Sequence, residues 1–195
     1  YVEIPPALSP EAPMGQDQTK NQDQTKRIIH STDVEGNKHG CTIDSLIFRP
    51  AAYGLVFRDS DLLVVDTKFG LSLPGGRIEL GEHHEEALKR EIFEETNVRA
   101  HVEMICSVDT SYWHDRGADY HCLSHFFRCE YADGELSTAN LSEDERTRWD
   151  CKPFWIPTET AVERGFRRTA DWRKAISVAG VLIVLPAAAL AALLS

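Results

Sequence analysis

Short apolar stretches separated by polar turns dominate the centre of the chain. Residues 52–57 and 62–66 are rich in Leu, Val and aromatic side chains, and the polar triplet Asp59-Ser60-Asp61 stands between them. Two runs of β-forming residues around a short polar turn are typical of a β-hairpin. The pattern therefore predicts a strand, a tight turn and a second strand.

Three further strands and a helix are predicted in the second half. The strands are residues 98–108, 120–131 and 152–156, the last ending at Pro157, and the helix is 158–168. In the stretch 120–131, Leu123 and Phe127 alternate with Cys122 and Phe126, which is the period of a strand with two apolar faces. Strands around a central helix favour an α/β sandwich with a mixed sheet.

The helix before residue 98 carries three carboxylates on one side. At about 100° per residue, Glu91, Glu94 and Glu95 fall within an arc of about 100°. Glu91 and Glu95 are like charges at i,i+4, an arrangement that costs a helix about 0.2–0.5 kcal/mol. Glutamate-rich helices are usually solvated faces, but a cluster that opposes its own helix also suits a hard cation such as Mg²⁺.

The two ends of the chain differ from this central part. Residues 1–42 are rich in Pro, Gln, Thr, Asp and Lys and repeat Gln-Asp-Gln-Thr-Lys at 16–20 and 22–26. Such a segment buries too little apolar surface to fold, so we expect a disordered tail. The folded domain is then predicted at 43–168, followed by a hydrophobic segment at 169–195.

Residues 175–194 carry no charge and are long enough, at 1.5 Å per residue, to cross about 30 Å of hydrocarbon. Basic residues precede this run, as on the cytoplasmic side of a membrane segment: Arg164, Arg167, Arg168, Arg173 and Lys174. These features favour a transmembrane tail anchor with the folded domain in the cytoplasm. The rival interpretation is a buried C-terminal helix that completes the core or forms a homodimer interface.

The net charge restricts the class of partner, and the cysteine content indicates the redox compartment. The formal net charge is −10, which argues against nucleic acid because binding its backbone favours a basic surface. The five cysteines are an odd number without a Cys-x-x-Cys pair, so the sequence favours a reducing compartment without disulfides.

The segment from Gly76 to Val98 resembles the Nudix box. The box requires Gly, five residues, Glu, seven residues, Arg-Glu, two residues, Glu-Glu, one residue, Gly and an apolar residue. The matching residues are Gly76, Glu82, Arg90, Glu91, Glu94, Glu95 and Val98. The final glycine is Asn97, and Asn is the usual substitute where a helix ends in a left-handed residue.

The resemblance implies the Nudix α/β/α sandwich with a mixed sheet and a pyrophosphohydrolase that cleaves a nucleoside diphosphate linked to a group X. Substrates of this class include nucleotides and nucleotide sugars. Water would attack one phosphorus while Mg²⁺, or Mn²⁺ in its place, binds the phosphate oxygens.

The resemblance also assigns roles. Glu94 and Glu95 are expected to bind the metal with the Gly75 carbonyl, and Glu91 either completes the metal shell or accepts the proton of the attacking water. Arg90 would orient Glu91, and Glu82 would approach the cluster from the preceding loop. A further acidic ligand is expected downstream, with these candidates: Glu143, Asp144, Glu145 and Asp150.

Recognition of X falls outside the box. We expect Tyr112 and Trp113, in a loop at 111–116, to stack on a base, and Arg116 to hold a phosphate. The alternative is that the two aromatic residues simply cover the edge of the domain. His121 and His125 share a strand face, where half-buried histidines with hydrogen-bond partners are the simpler interpretation than metal ligands.

Two other functional classes compete with hydrolysis. A nucleotide-sensing module on the same scaffold would bind without cleaving, but such a module should have lost the box carboxylates that this chain retains. An isomerase acting on a prenyl diphosphate would need a placed cysteine, for which Cys106 and Cys122 are candidates, but no spacing in the chain supports it.

Overall fold

The computed structural model describes residues 27–166 and 172–179. The strands are β1 (Ile28–Thr32), β2 (Lys38–Thr42), β3 (Leu46–Arg58), β4 (Asp61–Thr67), β5 (Gly70–Ser72), β6 (Gly75–Arg77), β7 (Arg99–Asp115), β8 (Ala118–Asp133) and β9 (Lys152–Pro157). The helices are α1 (His84–Thr96), α2 (Glu143–Trp149), α3 (Thr158–Arg164) and α4 (Trp172–Val178).

One mixed sheet contains these strands. Along its main path the order is β2-β1-β7-β8-β3-β4-β5, with β6 beside β3 and β9 beside β4. β3 and β8 run parallel along nearly their whole length, whereas β7 and β8 form a long antiparallel hairpin. The predicted α/β architecture with a mixed sheet is confirmed.

Helices cover both faces of the sheet because β3 and β4 are apolar on both sides. On one face, Val56 and Leu63 pack with Leu88 and Ile92 of α1. On the other face, the core contains Leu55, Phe57, Leu62, Val64, Trp172, Ala175 and Ile176, the last three from α4. Leu88 and Ile92 are fully buried, which contributes about 1.5–3 kcal/mol for each side chain. This packing sets the position of α1.

The start of α1 is held by a capping box. The backbone N–H of His83 donates to Glu86 Oε2 at 3.1 Å, and the N–H of Glu85 donates to His83 Nδ1 at 3.5 Å. Two backbone donors at the start of the helix are thereby satisfied. The first residue of the carboxylate-bearing helix is therefore fixed by its own side chains.

Asn97 ends α1 in the left-handed conformation, with φ 59° and ψ 17°. Its side-chain amide donates to the carbonyl of Glu135 at 2.8 Å, and Asn140 Nδ2 donates to its Oδ1 at 3.0 Å. Asn therefore replaces the glycine of the box and also ties the helix end to the segment after β8.

Two substitutions of Asn97 distinguish the contribution of its left-handed backbone from that of its side-chain hydrogen bonds. We expect Asn97→Ala to lower the free energy of unfolding by about 2 kcal/mol, because Ala tolerates the left-handed conformation less well than Asn and two hydrogen bonds disappear. Asn97→Gly keeps the backbone conformation at no steric cost and should lose less. Urea denaturation measures both. Equal losses in the two variants would show that the backbone conformation contributes nothing.

The predicted loop at 111–116 is wrong. Residues 111–115 belong to β7, and Asp115 pairs with Ala118 of β8. Only Arg116 and Gly117 form the turn, with φ values of 50° and 77°. A two-residue turn with positive φ at both positions matches the twist of the strands, which is why the hairpin continues to its tip.

Part of the predicted disordered tail is ordered. Residues 28–42 form β1 and β2, which pair with each other across a turn in which Asp33 accepts hydrogen bonds from the backbone of Glu35 and Asn37. Ile29 and Cys41 are buried. Ile29 and Cys41 stand among polar residues, so the composition of the segment predicted disorder. Residues 1–26 of the predicted tail lie outside the described residues.

The predicted membrane segment falls mostly outside the described residues, which end at 179. Ala175, Ile176 and Ala179 at its start are buried in the core with Trp172. This is the packing that the rival interpretation, a buried helix, expected for these positions. Within 27–166 and 172–179, no helix has the length and apolar character needed to span a bilayer.

Candidate active site

A cavity of about 430 Å³ lies beside the N-terminal part of β3, the strand β6 and the helix α1. Because β6 pairs with β3 at residues 51–53, Tyr53 lies opposite Gly75 at the cavity. The walls include Arg49, Tyr53, Glu91, Glu95 and Trp113. A volume of this size is typical of a site for a small molecule.

Arg90 connects the acidic residues of the site. Its Nε donates to Glu82 Oε1 at 2.9 Å and its Nη2 donates to Glu82 Oε2 at 3.0 Å, a bidentate pair. Its Nη1 donates to both Glu91 Oε1 and Glu94 Oε2 at 3.0 Å. Nη2 also donates to the carbonyl of Arg77 at 3.1 Å. One guanidinium thereby fixes three carboxylates and the strand beside them.

β6 approaches α1 closely because its first two residues are glycines. The N–H of Gly75 donates to Glu95 Oε2 at 2.9 Å, and Gly75 has φ 140°. A Cβ on Gly75 would lie 2.2 Å from the carbonyl oxygen of Ala52, and a Cβ on Gly76 would lie 2.7 Å from the carboxylate of Glu91. The absence of a side chain lets Gly75 pack against the backbone of β3, and at Gly76 it leaves space for the carboxylate of Glu91.

The carboxylates at this site differ in how easily they ionise. Burial raises the pKa of Glu95 to about 8, and burial also raises the pKa of Glu91 above its ordinary value. Hydrogen bonds from Arg90 lower the pKa of Glu82. Burial therefore opposes ionisation of Glu91 and Glu95, and a bound cation would favour their ionised forms.

The raised pKa of Glu95 predicts a pH dependence of stability. The unfolded carboxyl loses its proton near 4.5, whereas the folded one keeps it to about 8. The unfolded state therefore binds fewer protons in this window, and the free energy of unfolding falls as pH rises from 4.5 to 8. Urea denaturation in EDTA should show this fall, and Glu95→Gln should flatten it. Identical pH profiles for the two proteins would contradict the assignment.

The predicted catalytic and metal-binding residues lie along α1, in the segment before it and in β6. Gly75, Arg90, Glu91 and Glu95 line the cavity. Glu82 and Glu94 sit beside it, each bonded to Arg90, and the Glu94 side chain is 40% exposed. The structure thus brings the whole predicted set together through Arg90 and β6.

The three predicted substrate-binding residues are separated. Trp113 lines the cavity. Tyr112 points to the other face of β7, where its ring stacks on His121 with centroids 5.0 Å apart. Arg116 occupies the exposed hairpin turn. Neighbouring residues of a strand face opposite sides, so the residues of a strand cannot all reach one pocket as those of a loop could.

Several cavity residues were not identified from the sequence. They are Arg49, Tyr53, Arg148 and Cys151. Arg49 had a detectable signal, since it is the one charged residue in the apolar stretch 46–57. Arg148 pairs with Asp115 at the end of β7, a contact between distant parts of the chain. Of the four downstream acids considered, Glu145 lines the cavity.

Oxygen donors suited to a divalent metal surround the Gly75-Gly76 strand. Within the described residues, no three acidic, histidine or cysteine side chains are arranged as a preformed metal site. The carboxylates of Glu91 and Glu94 are instead held by Arg90, and that of Glu95 by the Gly75 amide. Carboxylate and carbonyl oxygens are the donors that hard divalent cations prefer, so the chemistry of these residues fits such an ion.

The fold agrees with comparisons to known proteins. The model of the NUDIX domain matches residues 47–176, more than half of the chain, and the chain belongs to this family of hydrolases. An ADP-ribose pyrophosphatase from Methanocaldococcus jannaschii is 31% identical over 127 residues, which are 62% of this chain and 70% of that protein.

A solved structure shows the same fold. The MutT NUDIX hydrolase from Burkholderia pseudomallei superposes with a TM-score of 0.50 at 18% identity, covering 67% of this chain and 97% of that one. A UDP-X diphosphatase structure gives a TM-score of 0.47 at 19% identity over 68% of this chain. This chain spans 61% of the length of that structure.

Proposed function

We propose that this protein hydrolyses the diphosphate linkage of a nucleoside diphosphate joined to a second group X, in a reaction that requires Mg²⁺. The observation that carries the proposal is the cluster built by Arg90. It holds the box carboxylates Glu82, Glu91 and Glu94 together at a cavity of small-molecule size, beside Glu95.

The metal would be held by Glu91, Glu94 and Glu95 with the carbonyl of Gly75, and Mn²⁺ can take the place of Mg²⁺. Glu145 is the further acidic ligand that we favour, since it lines the cavity and its charge acts on Glu91 and Glu95. When bound, the ion supplies positive charge to the diphosphate oxygens and orients the reacting groups.

The chain's own residues prepare the site for this chemistry. Arg90 orients Glu91 through a charge-assisted hydrogen bond, and Glu91 either takes the proton of the attacking water or completes the metal shell. Gly76 leaves Glu91 the room it needs. The Gly75 amide fixes one oxygen of Glu95, which leaves the other for a ligand.

Product release from a panel of substrates tests the proposal. The full-length chain is incubated with ADP-ribose, a UDP-sugar, a nucleoside triphosphate and a dinucleoside polyphosphate, in Mg²⁺ or in EDTA. ADP-ribose is the first probe because a relative at 31% identity is an ADP-ribose pyrophosphatase.

We expect cleavage that requires Mg²⁺, that Glu94→Gln and Glu95→Gln abolish, and that the matched control Glu85→Gln on the same helix retains. Full turnover in the Glu94→Gln or Glu95→Gln protein would contradict the assigned metal ligands. Nucleotide binding in a thermal-shift assay without any cleavage would favour a nucleotide sensor instead.

A further inference from the structure

Arginine side chains in the wall of the cavity differ in their partners. Arg90 is bonded to Glu82, Glu91 and Glu94, and Arg148 pairs with Asp115. Arg77 is exposed to water. Among the described residues, no carboxylate oxygen lies within 4.0 Å of the guanidinium of Arg49. Arg49 is therefore a cavity cation without a paired anion.

The surroundings of Arg49 shield it from water. Arg49 and Tyr53 lie on the same face of β3, and Cys122 of β8 is the strand partner of Arg49. Burial is the largest influence on the pKa of Arg49 and lowers it, but Tyr53, Cys122 and the charge of Glu91 raise it above its ordinary value. The group thus stays charged in a partly dry site with neutral contacts, an arrangement that is unfavourable unless an anion arrives.

Tyr53 is itself held in place. Its ring stacks on Phe126 with centroids 5.6 Å apart and an interplanar angle of 24°. A fixed phenol beside a half-buried guanidinium limits the positions that the guanidinium can adopt. Arg49 is therefore preorganised to offer several N–H donors to a ligand in the cavity.

We propose that Arg49 binds the phosphate oxygens of the substrate and is the residue that makes this cavity select a diphosphate. This inference rests on the proposed function. It assigns substrate binding to a residue of β3 in the cavity wall, outside the box helix. Arg49 shares the cavity with Glu91 and Glu95, so the anion it meets is the phosphate at the reacting linkage, not a distant acidic group of X.

Steady-state kinetics of Arg49→Met and Arg49→Lys test the role. Arg49→Met should raise KM by about 10- to 100-fold, as expected for losing a hydrogen bond to a charged group. It should leave kcat nearly unchanged, because the same contact exists before and during reaction. Arg49→Lys should recover part of the loss, since Lys keeps the charge without the fork of donors. Arg99→Met, which removes an exposed arginine outside the cavity, is the control.

Binding of inorganic pyrophosphate in EDTA gives a readout that does not depend on turnover. Calorimetry should show binding to the wild-type chain that is at least about tenfold weaker in Arg49→Met, and weakened less in Arg49→Lys. Equal affinity and equal KM in the wild-type and Arg49→Met proteins would overturn the role of Arg49 while leaving the hydrolase intact. Pyrophosphate binding that depends on Arg49, without any hydrolysis of the substrate panel, would instead support the role of Arg49 and reject the proposed function.

Discussion

Glu91→Gln is expected to lower kcat by about 10²- to 10⁴-fold, the range for loss of a positioned acid–base group. The substitution preserves the shape of the side chain and can still accept a hydrogen bond from Arg90, so the site should keep its geometry. It removes the negative charge that a cation or an attacking water would use. Steady-state kinetics in Mg²⁺ measure the loss.

Stability provides the control for this substitution. Because burial raises the pKa of Glu91, replacing it with a neutral amide should leave the thermal midpoint unchanged or raise it. A variant that is as stable as the wild type and nearly inactive shows a chemical role. Wild-type turnover in Glu91→Gln would show that the carboxylate is part of the helix surface and not of the reaction.

Alanine should destabilise the protein more at Gly75 than at Gly76, the adjacent glycines of β6. Gly75→Ala should lower the free energy of unfolding by at least about 2 kcal/mol, because its φ of 140° disfavours a side chain and the new Cβ would overlap Ala52. Gly76→Ala should fold with a loss below about 1.5 kcal/mol, since only the flexible end of Glu91 must move.

Gly76→Ala should lose activity although its fold is the less disturbed of the two. A displaced Glu91 is expected to reduce kcat of Gly76→Ala by about 10²-fold, the cost of a misplacement of about 1 Å. Urea denaturation and steady-state kinetics on both proteins test the pair. Normal turnover in a stable Gly76→Ala protein would show that the close approach of β6 to Glu91 has no catalytic importance.

The box helix could be predicted from the sequence because its contacts are local. Glu82, Arg90, Glu91 and Glu94 lie close together in the sequence, and the left-handed Asn97 follows the last residue of the helix. Spacing along the chain therefore determines which side chains meet. The same is true of the hairpin formed by β3 and β4, where the turn residues adjoin the strands.

The walls of the cavity could not be predicted in the same way. Arg49 meets Cys122 through the parallel pairing of β3 and β8, and Arg148 meets Asp115 through the position of α2. Parallel pairing leaves no turn signal to reveal the register. The two-residue turn at Arg116-Gly117 was a signal of the longer hairpin, because glycine after a polar residue is typical of such turns.

The most direct test of the central claim is single turnover of ADP-ribose by the full-length chain in water enriched in ¹⁸O, followed by mass spectrometry of the products. Hydrolysis at the diphosphate predicts two phosphate monoesters, AMP and ribose phosphate, with one ¹⁸O atom in one of them, and no such products in EDTA. If ADP-ribose is not a substrate, the best substrate of the panel is used in the same way. Products without the label, or equal cleavage in EDTA, would contradict metal-dependent attack by water on the diphosphate.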